Sequence, residues 1–254
     1  MNPREESVRD RAIAYLEYLS LYEKELYLKK SVSAAKARFA PAEKKPAPKS
    51  EGGSLNPYPE YGPYQSLAQM EAAIRGCLKC ALGPGRTNFV FGVGPADAKV
   101  AFIGEGPGAE EDKRGEPFVG RAGMLLNEML AQIDWRREDV YIGNMIKCRP
   151  PNNRDPQPEE IAMCEPYLHE QLRLLQPQWI VALGRISAQA LLGTQASLKT
   201  LRGRVHKFRG ITMWVTYHPA ALLRNPSLLP DAHQDLLTLK RMLTSGMTEG
   251  ESQP

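Results

Sequence analysis

Short apolar segments rich in β-branched residues alternate with helical patterns from about residue 66 onward. The predicted strands are 100–103, 140–146, 179–183 and 213–217. The predicted helices between or after them are 120–132, 158–175, 186–192 and 231–243. This alternation is typical of βαβ units with right-handed crossovers, and continuously apolar strands need helices on both faces of the sheet. We therefore predict a three-layer α/β/α fold with a four-stranded parallel sheet.

The chain before this domain has a different composition. Residues 1–30 place apolar side chains at helical spacing among many charges, which predicts an amphipathic helix. Residues 31–65 are rich in Ala, Pro, Lys, Ser and Gly and predict a linker. We expect the folded domain to span 66–245 and a disordered tail to span 246–254.

Composition excludes some broad classes of protein. Of the 254 residues, 42% are hydrophobic, which argues against wholesale disorder, and no run of 18 apolar residues predicts a membrane span. The start MNPREESVRDR lacks the apolar core of a secretory signal, so we expect a cytoplasmic protein with reduced thiols. A net charge of +4 permits a nucleic-acid partner without demanding one.

Each predicted strand leads into an unusual polar or glycine-rich segment. These segments are GEGPGAEED, NMIKCRPPNN, GR and HPAALLRNP. In open α/β sheets, ligands bind in the crevice beyond the carboxyl ends of the strands. The sequence therefore gathers its unusual chemistry at one edge of the sheet, where we expect the active site.

The segment from Gly104 to Ala109 formally fits the dinucleotide fingerprint G-x-G-x-x-A. Three acidic residues follow at once, and Asn144 rather than an acid stands near the end of the second strand. A bound pyrophosphate would meet carboxylates there, so the glycines suit close approach to a flat neutral ligand instead. A plain βα turn without a ligand is the alternative.

The four cysteines form one candidate metal-ligand set. Cys77 and Cys80 make a C-x-x-C knuckle, and Cys148 and Cys164 complete a Cys₄ set. The spacing does not identify the metal, because it is neither a zinc ribbon nor a ferredoxin pattern. Four unrelated thiols, or a redox pair at the knuckle, remain the alternatives.

Two further features follow the later strands. His218 precedes Pro219 at the end of the last strand, where it could stabilise a developing anion. The candidate DNA-contacting residues are Arg202, Arg204, Leu222, Leu223 and Arg224. Arginines beside a crevice suit a phosphate backbone and adjacent leucines suit a wedge between bases, whereas a solvated loop and core packing are the alternatives.

Taken together, the motifs resemble one known family. GEGPGAEED, GEPFVGRAGMLLN, GNMIKCRPPNNRDP, the four cysteines and HPAALLRNP resemble the iron–sulfur (family 4) uracil-DNA glycosylases of bacteria and archaea. The resemblance covers roughly residues 67–243. It implies a [4Fe–4S] cluster held by Cys77, Cys80, Cys148 and Cys164, with a structural role.

The resemblance also implies how uracil is recognised. A glycosylase must extrude the nucleotide from the DNA before it reaches the glycosidic bond. Phe118 is similar to the aromatic platform on which uracil stacks, and Asn144 to the amide that pairs with uracil N3–H and O4. Glu111 falls where the family crowds the C5 position and excludes the thymine methyl. Gly106 and neighbouring amides would approach uracil O2.

Two residues are candidates for the bond-breaking chemistry, and the resemblance assigns the first of them. His218 would donate to O2 of the departing uracil anion. Many related enzymes place an aspartate in the first motif to orient the attacking water, but here the aligned residue is Gly106. Glu105 is the nearest carboxylate, and we expect it to orient the water or stabilise the sugar cation.

The leading hypothesis is thus a base-excision repair hydrolase that acts on uracil in DNA. A non-catalytic iron–sulfur or zinc DNA-binding module is the second hypothesis, and a nucleotide-binding α/β enzyme is the third. We expect a monomer that is associated with the nucleoid and binds uracil-containing DNA. We also expect that the N-terminal helix contacts a replication or repair protein and that the chain does not bind a membrane. Release of free uracil separates the first two hypotheses, and tight NAD binding would favour the third.

Overall fold

The computed structural model describes residues 64–245. The predicted N-terminal helix (1–30), most of the predicted linker (31–65) and the predicted tail (246–254) lie outside the described residues. The first described helix begins at Leu67 with Ser66 as its N-cap, and the domain boundary near residue 66 stays a prediction.

The described residues form one mixed sheet. Its strands are β1 (Val100–Gly104), β2 (Tyr141–Asn144), β3 (Trp179–Leu183), β4 (Val205–Phe208) and β5 (Ile211–Thr216). The spatial order is β2-β1-β3-β5-β4, and the first four of these are mutually parallel. β4 is antiparallel to β5 and forms one edge.

Helices follow most strands. Within residues 64–245 they are α1 (Leu67–Ile74), α2 (Ala109–Arg114), α3 (Arg121–Ala131), α4 (Pro158–Leu175), α5 (Gly184–Leu192), α6 (Leu198–Leu201), α7 (Pro219–Arg224) and α8 (Leu229–Ser245). None of these described helices is long and apolar enough to cross a membrane.

The sheet has an apolar layer on each face. Alternate strand residues point to opposite faces, so Phe102 packs with residues of α3 and α8, whereas Ile103 packs with residues of α4 and α5. Both side chains are fully buried. The predicted α/β/α layering is therefore confirmed.

The four predicted strands form the parallel part of the sheet, and β4 adds a fifth, antiparallel strand that the sequence pattern does not predict. β4 lies between the third and fourth predicted strands, where no strand is predicted, and it carries His206 and Lys207. Only Phe208 of this strand is buried, because an edge strand exposes much of its surface to water. Its half-exposed, charged sequence therefore lacks the continuous apolar run that identifies the four parallel strands.

The acidic run after the glycine segment begins a helix. α2 has Glu110, Glu111 and Asp112 in its first turn. Acidic side chains are favourable there because the N-terminal end of a helix carries partial positive charge. The glycine segment therefore leads into a helix start that already holds its own negative charge.

Candidate active site

The carboxyl ends of the parallel strands meet at one edge of the sheet. Within the sheet, β2 lies on one side of β1 and β3 lies on the other. The segments that leave β1 and β3 therefore run in opposite directions and open a crevice between them, which is the usual ligand position in open α/β sheets. Gly104 ends β1 and Asn144 ends β2, and the two are register partners.

The glycine segment permits close packing at this crevice. A Cβ on Gly104 would lie 2.6 Å from both Asn144 Oδ1 and Phe118 Cζ, and one on Gly106 would lie 2.7 Å from Ile146 Cγ1. No larger residue fits at either position without displacing its neighbours. The segment thus brings the backbone beside Asn144 and Phe118, as close approach to a flat ligand requires.

The rings of Phe118 and His218 lie side by side at the crevice. Their centroids are 5.5 Å apart and their planes are inclined by 34°. Gly184, which follows β3, gives room for this arrangement, because a Cβ there would lie 2.8 Å from His218 Cβ. Residues that end or follow β1, β2, β3 and β5 therefore converge on one place, as predicted.

His218 is held in one neutral form. Its Nδ1 accepts a hydrogen bond from the backbone N–H of Ala220 at 3.1 Å, at the start of α7. Burial lowers the pKa of His218 to about 4; Arg224 acts in the same direction and Glu111 opposes it. Because Nδ1 accepts, the proton of the neutral ring is on Nε2, which is therefore a hydrogen-bond donor.

Asn144 presents an unpaired acceptor. The side chain is 2% exposed, and its Oδ1 has no hydrogen-bond partner within the described part of the chain. Lys147 Nζ donates to the Asn144 backbone oxygen at 2.8 Å and so fixes the end of β2. A buried polar atom without a partner is costly, which indicates a position kept for a ligand.

Glu111 binds the loop that carries Phe118. Its Oε1 accepts from the backbone N–H groups of Val119 at 2.9 Å and Gly120 at 2.8 Å. Phe118 has a φ of +53°, although it is neither glycine nor exposed. A bulky residue in this region is strained and needs its surroundings to hold it there.

Glu105 lies between opposing charges. Burial, helped by the nearby Asp155, raises the pKa of its carboxyl to about 7, against the opposing effect of Arg185 and Arg224. Its backbone oxygen accepts from Ile146 N at 3.1 Å. Glu105 thus titrates near neutrality.

Comparison with known proteins decides the family. The family model described as "Uracil DNA glycosylase superfamily" matches residues 91–239. A Type-4 uracil-DNA glycosylase of Archaeoglobus fulgidus is 45% identical over 179 residues, which are 67% of this chain and 90% of the relative. One of Thermotoga maritima is 49% identical over 156 residues, 61% of this chain and 81% of the relative. The chain belongs to the Type-4 uracil-DNA glycosylase family. The resemblance inferred from the motifs is therefore confirmed.

The cysteines of this Type-4 glycosylase lie in a separate apolar cluster beside α1. Cys148 and Cys164 are buried in it, and Cys77 and Cys80 pack against it. Tyr167 Oη donates to Cys77 Sγ at 3.3 Å, and Arg86 Nη1 donates to Cys148 Sγ at 3.5 Å.

Burial and neighbouring cysteines both raise the pKa of the two buried thiols. Burial raises the pKa of Cys148 to about 11 and that of Cys164 to about 12, and Cys80 adds to both shifts. All four are free thiols. Among residues 64–245 no three His, Cys, Asp or Glu side chains are arranged to hold a metal ion. Four cysteines gathered around one apolar cluster, of which Cys77 and Cys148 receive side-chain hydrogen bonds, still have the donor chemistry of a sulfur-ligated iron cluster.

The candidate DNA-contacting residues of the glycosylase differ in their surroundings. Arg204 and Arg224 are exposed. Arg202 instead donates to the carboxylates of Asp231 and Asp235. Its charge is therefore balanced within the domain.

The wedge prediction for Leu222 was wrong. This side chain is fully buried in the core cluster that includes residues of α3 and α8, because α7 turns it inward. Leu223 is only partly buried against the same cluster and remains a candidate. Adjacent aliphatic residues cannot be assigned to core or surface until the phase of their helix is known.

Three charged residues near the site were not predicted from the sequence. Arg185 Nη2 and Asp155 Oδ2 are 3.2 Å apart, and both act on Glu105. Arg185 directly follows the glycine after β3, so its position was a usable signal. Arg137 contacts the loop of Phe118 through backbone oxygens, and such contacts leave no pattern in the sequence.

Proposed function

We propose that this chain hydrolyses the N-glycosidic bond of deoxyuridine in DNA, releases free uracil and leaves an abasic site, the first step of base excision repair. The observation that carries the proposal is the convergence of Phe118, Asn144 and His218 on one crevice in a Type-4 glycosylase. An aromatic ring, an unpaired amide oxygen and a neutral imidazole donor match the face and the polar edges of one uracil base.

Uracil is read by stacking and pairing. The extruded base stacks on Phe118, its N3–H donates to Asn144 Oδ1, and its O4 accepts from the Asn144 amide nitrogen. Cytosine reverses the polarity of both groups and would leave buried polar atoms unpaired. Glu111, whose carboxylate is fixed by two backbone N–H groups, stands where a methyl group at C5 would lie. Backbone N–H groups around Gly106 approach O2.

The bond breaks with its electron pair moving to the base. The C1′–N1 bond opens to leave a sugar oxocarbenium ion and a uracil anion. His218 Nε2–H donates to O2 of that anion, and the donor is in place before charge develops. A water then adds to C1′, and Glu105 in its carboxylate form orients this water and stabilises the cation. The proton that the water gives up neutralises the uracil anion, which leaves as free uracil.

We expect the activity to follow the ionisation of Glu105. Because its pKa is raised to about 7, the carboxylate is mostly protonated below that pH and mostly ionised above it. Single-turnover cleavage rates should therefore rise between about pH 6 and pH 8, and Glu105→Gln should lower the rate by about 10²-fold and remove the rise.

Arg185→Gln gives the matched control for this prediction. The charge of Arg185 lowers the pKa of Glu105, so its removal should shift the midpoint of the pH profile upward. Near-normal turnover of the Glu105→Gln protein would exclude the proposed role of this carboxylate.

We further propose that Cys77, Cys80, Cys148 and Cys164 hold a [4Fe–4S] cluster. When bound, the cluster supplies a covalent link between the knuckle after α1, the exit of β2 and α4. Cys148 lies four residues beyond Asn144, so the link holds the strand end that reads uracil.

Iron content tests the cluster directly. Freshly purified protein should be brown, absorb visible light and contain about four irons per chain. Cys164→Ser should lose colour and iron and should lower the melting temperature, because burial leaves the serine hydroxyl without a partner. Met163→Ser, at an exposed neighbour, is the control and should retain both. Colourless protein that contains zinc would disprove the cluster.

The DNA backbone is expected at the face formed by the exposed arginines. Arg224 acts electrostatically on both Glu105 and His218, so it lies beside the reacting nucleotide. We propose that Arg204 and Arg224 contact phosphates and that Leu223 contacts the base stack. Arg202 was also predicted to contact DNA, but its side chain instead binds Asp231 and Asp235 of α8.

Uracil release is the experiment that tests the proposed function. The full chain is incubated with an oligonucleotide that contains one uracil, and free uracil and alkali-labile sites are measured. Matched oligonucleotides with thymine or cytosine at the same position should remain intact. Binding without release would favour a non-catalytic DNA-binding module.

A further inference from the structure

Phe118 is held in an unfavourable backbone conformation. Its φ of +53° lies in the left-handed region, which a residue with a large side chain rarely adopts. The conformation also requires Gly123, because a Cβ there would lie 1.9 Å from Phe118 O. Specific contacts must therefore hold the loop in this shape.

Arg137 provides contacts on one side of the loop. Its Nη1 donates to Phe118 O at 3.0 Å, and its Nη2 donates to Pro117 O. Nη2 also lies 3.1 Å from Glu116 Oε1. The side chain is 20% exposed, so these bonds are partly shielded from water. A planar guanidinium can bind two consecutive carbonyl groups, which the single ammonium of lysine cannot match.

Glu111 provides contacts on the other side. It accepts from the next two backbone N–H groups, those of Val119 and Gly120. Two charged side chains thus bind four backbone groups in succession, two carbonyl oxygens and then two N–H groups. This arrangement fixes the peptide on each side of Phe118 and hence the direction of its ring.

We propose that Arg137 is a positioning residue for the uracil-stacking ring of Phe118. Arg137 contacts the backbone oxygens of Pro117 and Phe118 and the side chains of Glu116 and Asn127, and it acts through the loop rather than on the base. The inference rests on the proposed function, because it assumes that Phe118 is the stacking platform. On this proposal, Arg137, which lies between α3 and β2, contributes to the geometry of the site.

A double-mutant cycle tests this proposal. Inhibition by free uracil reports binding in the pocket, and kcat and KM are measured on a uracil-containing oligonucleotide. Arg137→Gln should raise the inhibition constant of uracil by about tenfold, and Arg137→Lys should have an intermediate effect. In a Phe118→Ala protein, Arg137→Gln should add little, because the ring that it positions is already absent.

Arg136→Gln is the matched control, since Arg136 is exposed and pairs only with Glu138 and Asp139 among the described residues. It should leave the inhibition constant unchanged. A purely structural role of Arg137 predicts an equal effect with or without Phe118, and that result would overturn the proposal. Should Arg137→Gln fail to fold, the same cycle is run with Arg137→Lys.

The Phe118→Ala protein distinguishes the positioning role of Arg137 from the stacking role of Phe118, on which it depends. If Phe118→Ala weakens uracil binding but Arg137→Gln does not, only the positioning role is wrong. If Phe118→Ala leaves uracil binding unchanged, the stacking platform is wrong, and the role of Arg137 is wrong with it.

Discussion

Replacing Asn144 by aspartate should abolish uracil excision, with kcat/KM lowered by about 10³-fold or more. The amide offers one donor and one acceptor, which match uracil O4 and N3–H. A carboxylate offers acceptors only, so it would face O4 with like polarity. Asn144 is 2% exposed, and the repulsion would act where water cannot screen it.

The comparison with Asn144→Ala separates repulsion from simple loss of hydrogen bonds. Alanine removes both bonds without adding charge, so the aspartate protein should be the slower of the two. Asn152→Asp makes the same change at an exposed position and should cut uracil-containing DNA normally. Melting curves and iron content show whether each variant is folded. A folded Asn144→Asp enzyme within tenfold of the parent would remove Asn144 from uracil recognition.

The buried parts of the fold were predictable from the sequence because their periodicity is unambiguous. β3 (Trp179–Leu183) and α4 (Pro158–Leu175) have the predicted bounds. Both combine a clear apolar pattern with a strong boundary, such as the proline that opens α4. β4 has neither, because an edge strand that pairs on one side needs few apolar residues. Pairing with β5, rather than local sequence, makes it a strand.

The site was predictable where its residues lie at strand ends. Asn144 ends β2 and His218 follows β5, so the parallel direction of these strands is enough to place both at the same edge of the sheet. The support around them was not predictable. Arg137 acts on backbone oxygens, which every residue possesses, and the left-handed conformation of Phe118 has no signature in a phenylalanine. These features depend on the folded path of the chain.

Replacing His218 by alanine should lower kcat by about 10²- to 10³-fold and leave KM nearly unchanged. The donor matters most when negative charge reaches uracil O2, so its loss affects the transition state more than substrate binding. The N–H of Ala220 occupies Nδ1, so the ring can offer only Nε2–H while it is neutral. His206→Gln, on β4, is the control and should retain activity.

The pH profile tells whether this imidazole acts in its neutral form. With a pKa of about 4, His218 is uncharged throughout the range in which Glu105 titrates. A Glu105→Gln enzyme should therefore show a rate that is nearly independent of pH from about 5.5 to 8.5. A catalytic imidazolium would instead make that rate fall as the pH rises through the ordinary pKa of histidine, about 6.5. Such a fall would show that His218 is charged at the moment of bond cleavage. Burial of the ring would then not be sufficient to keep it neutral.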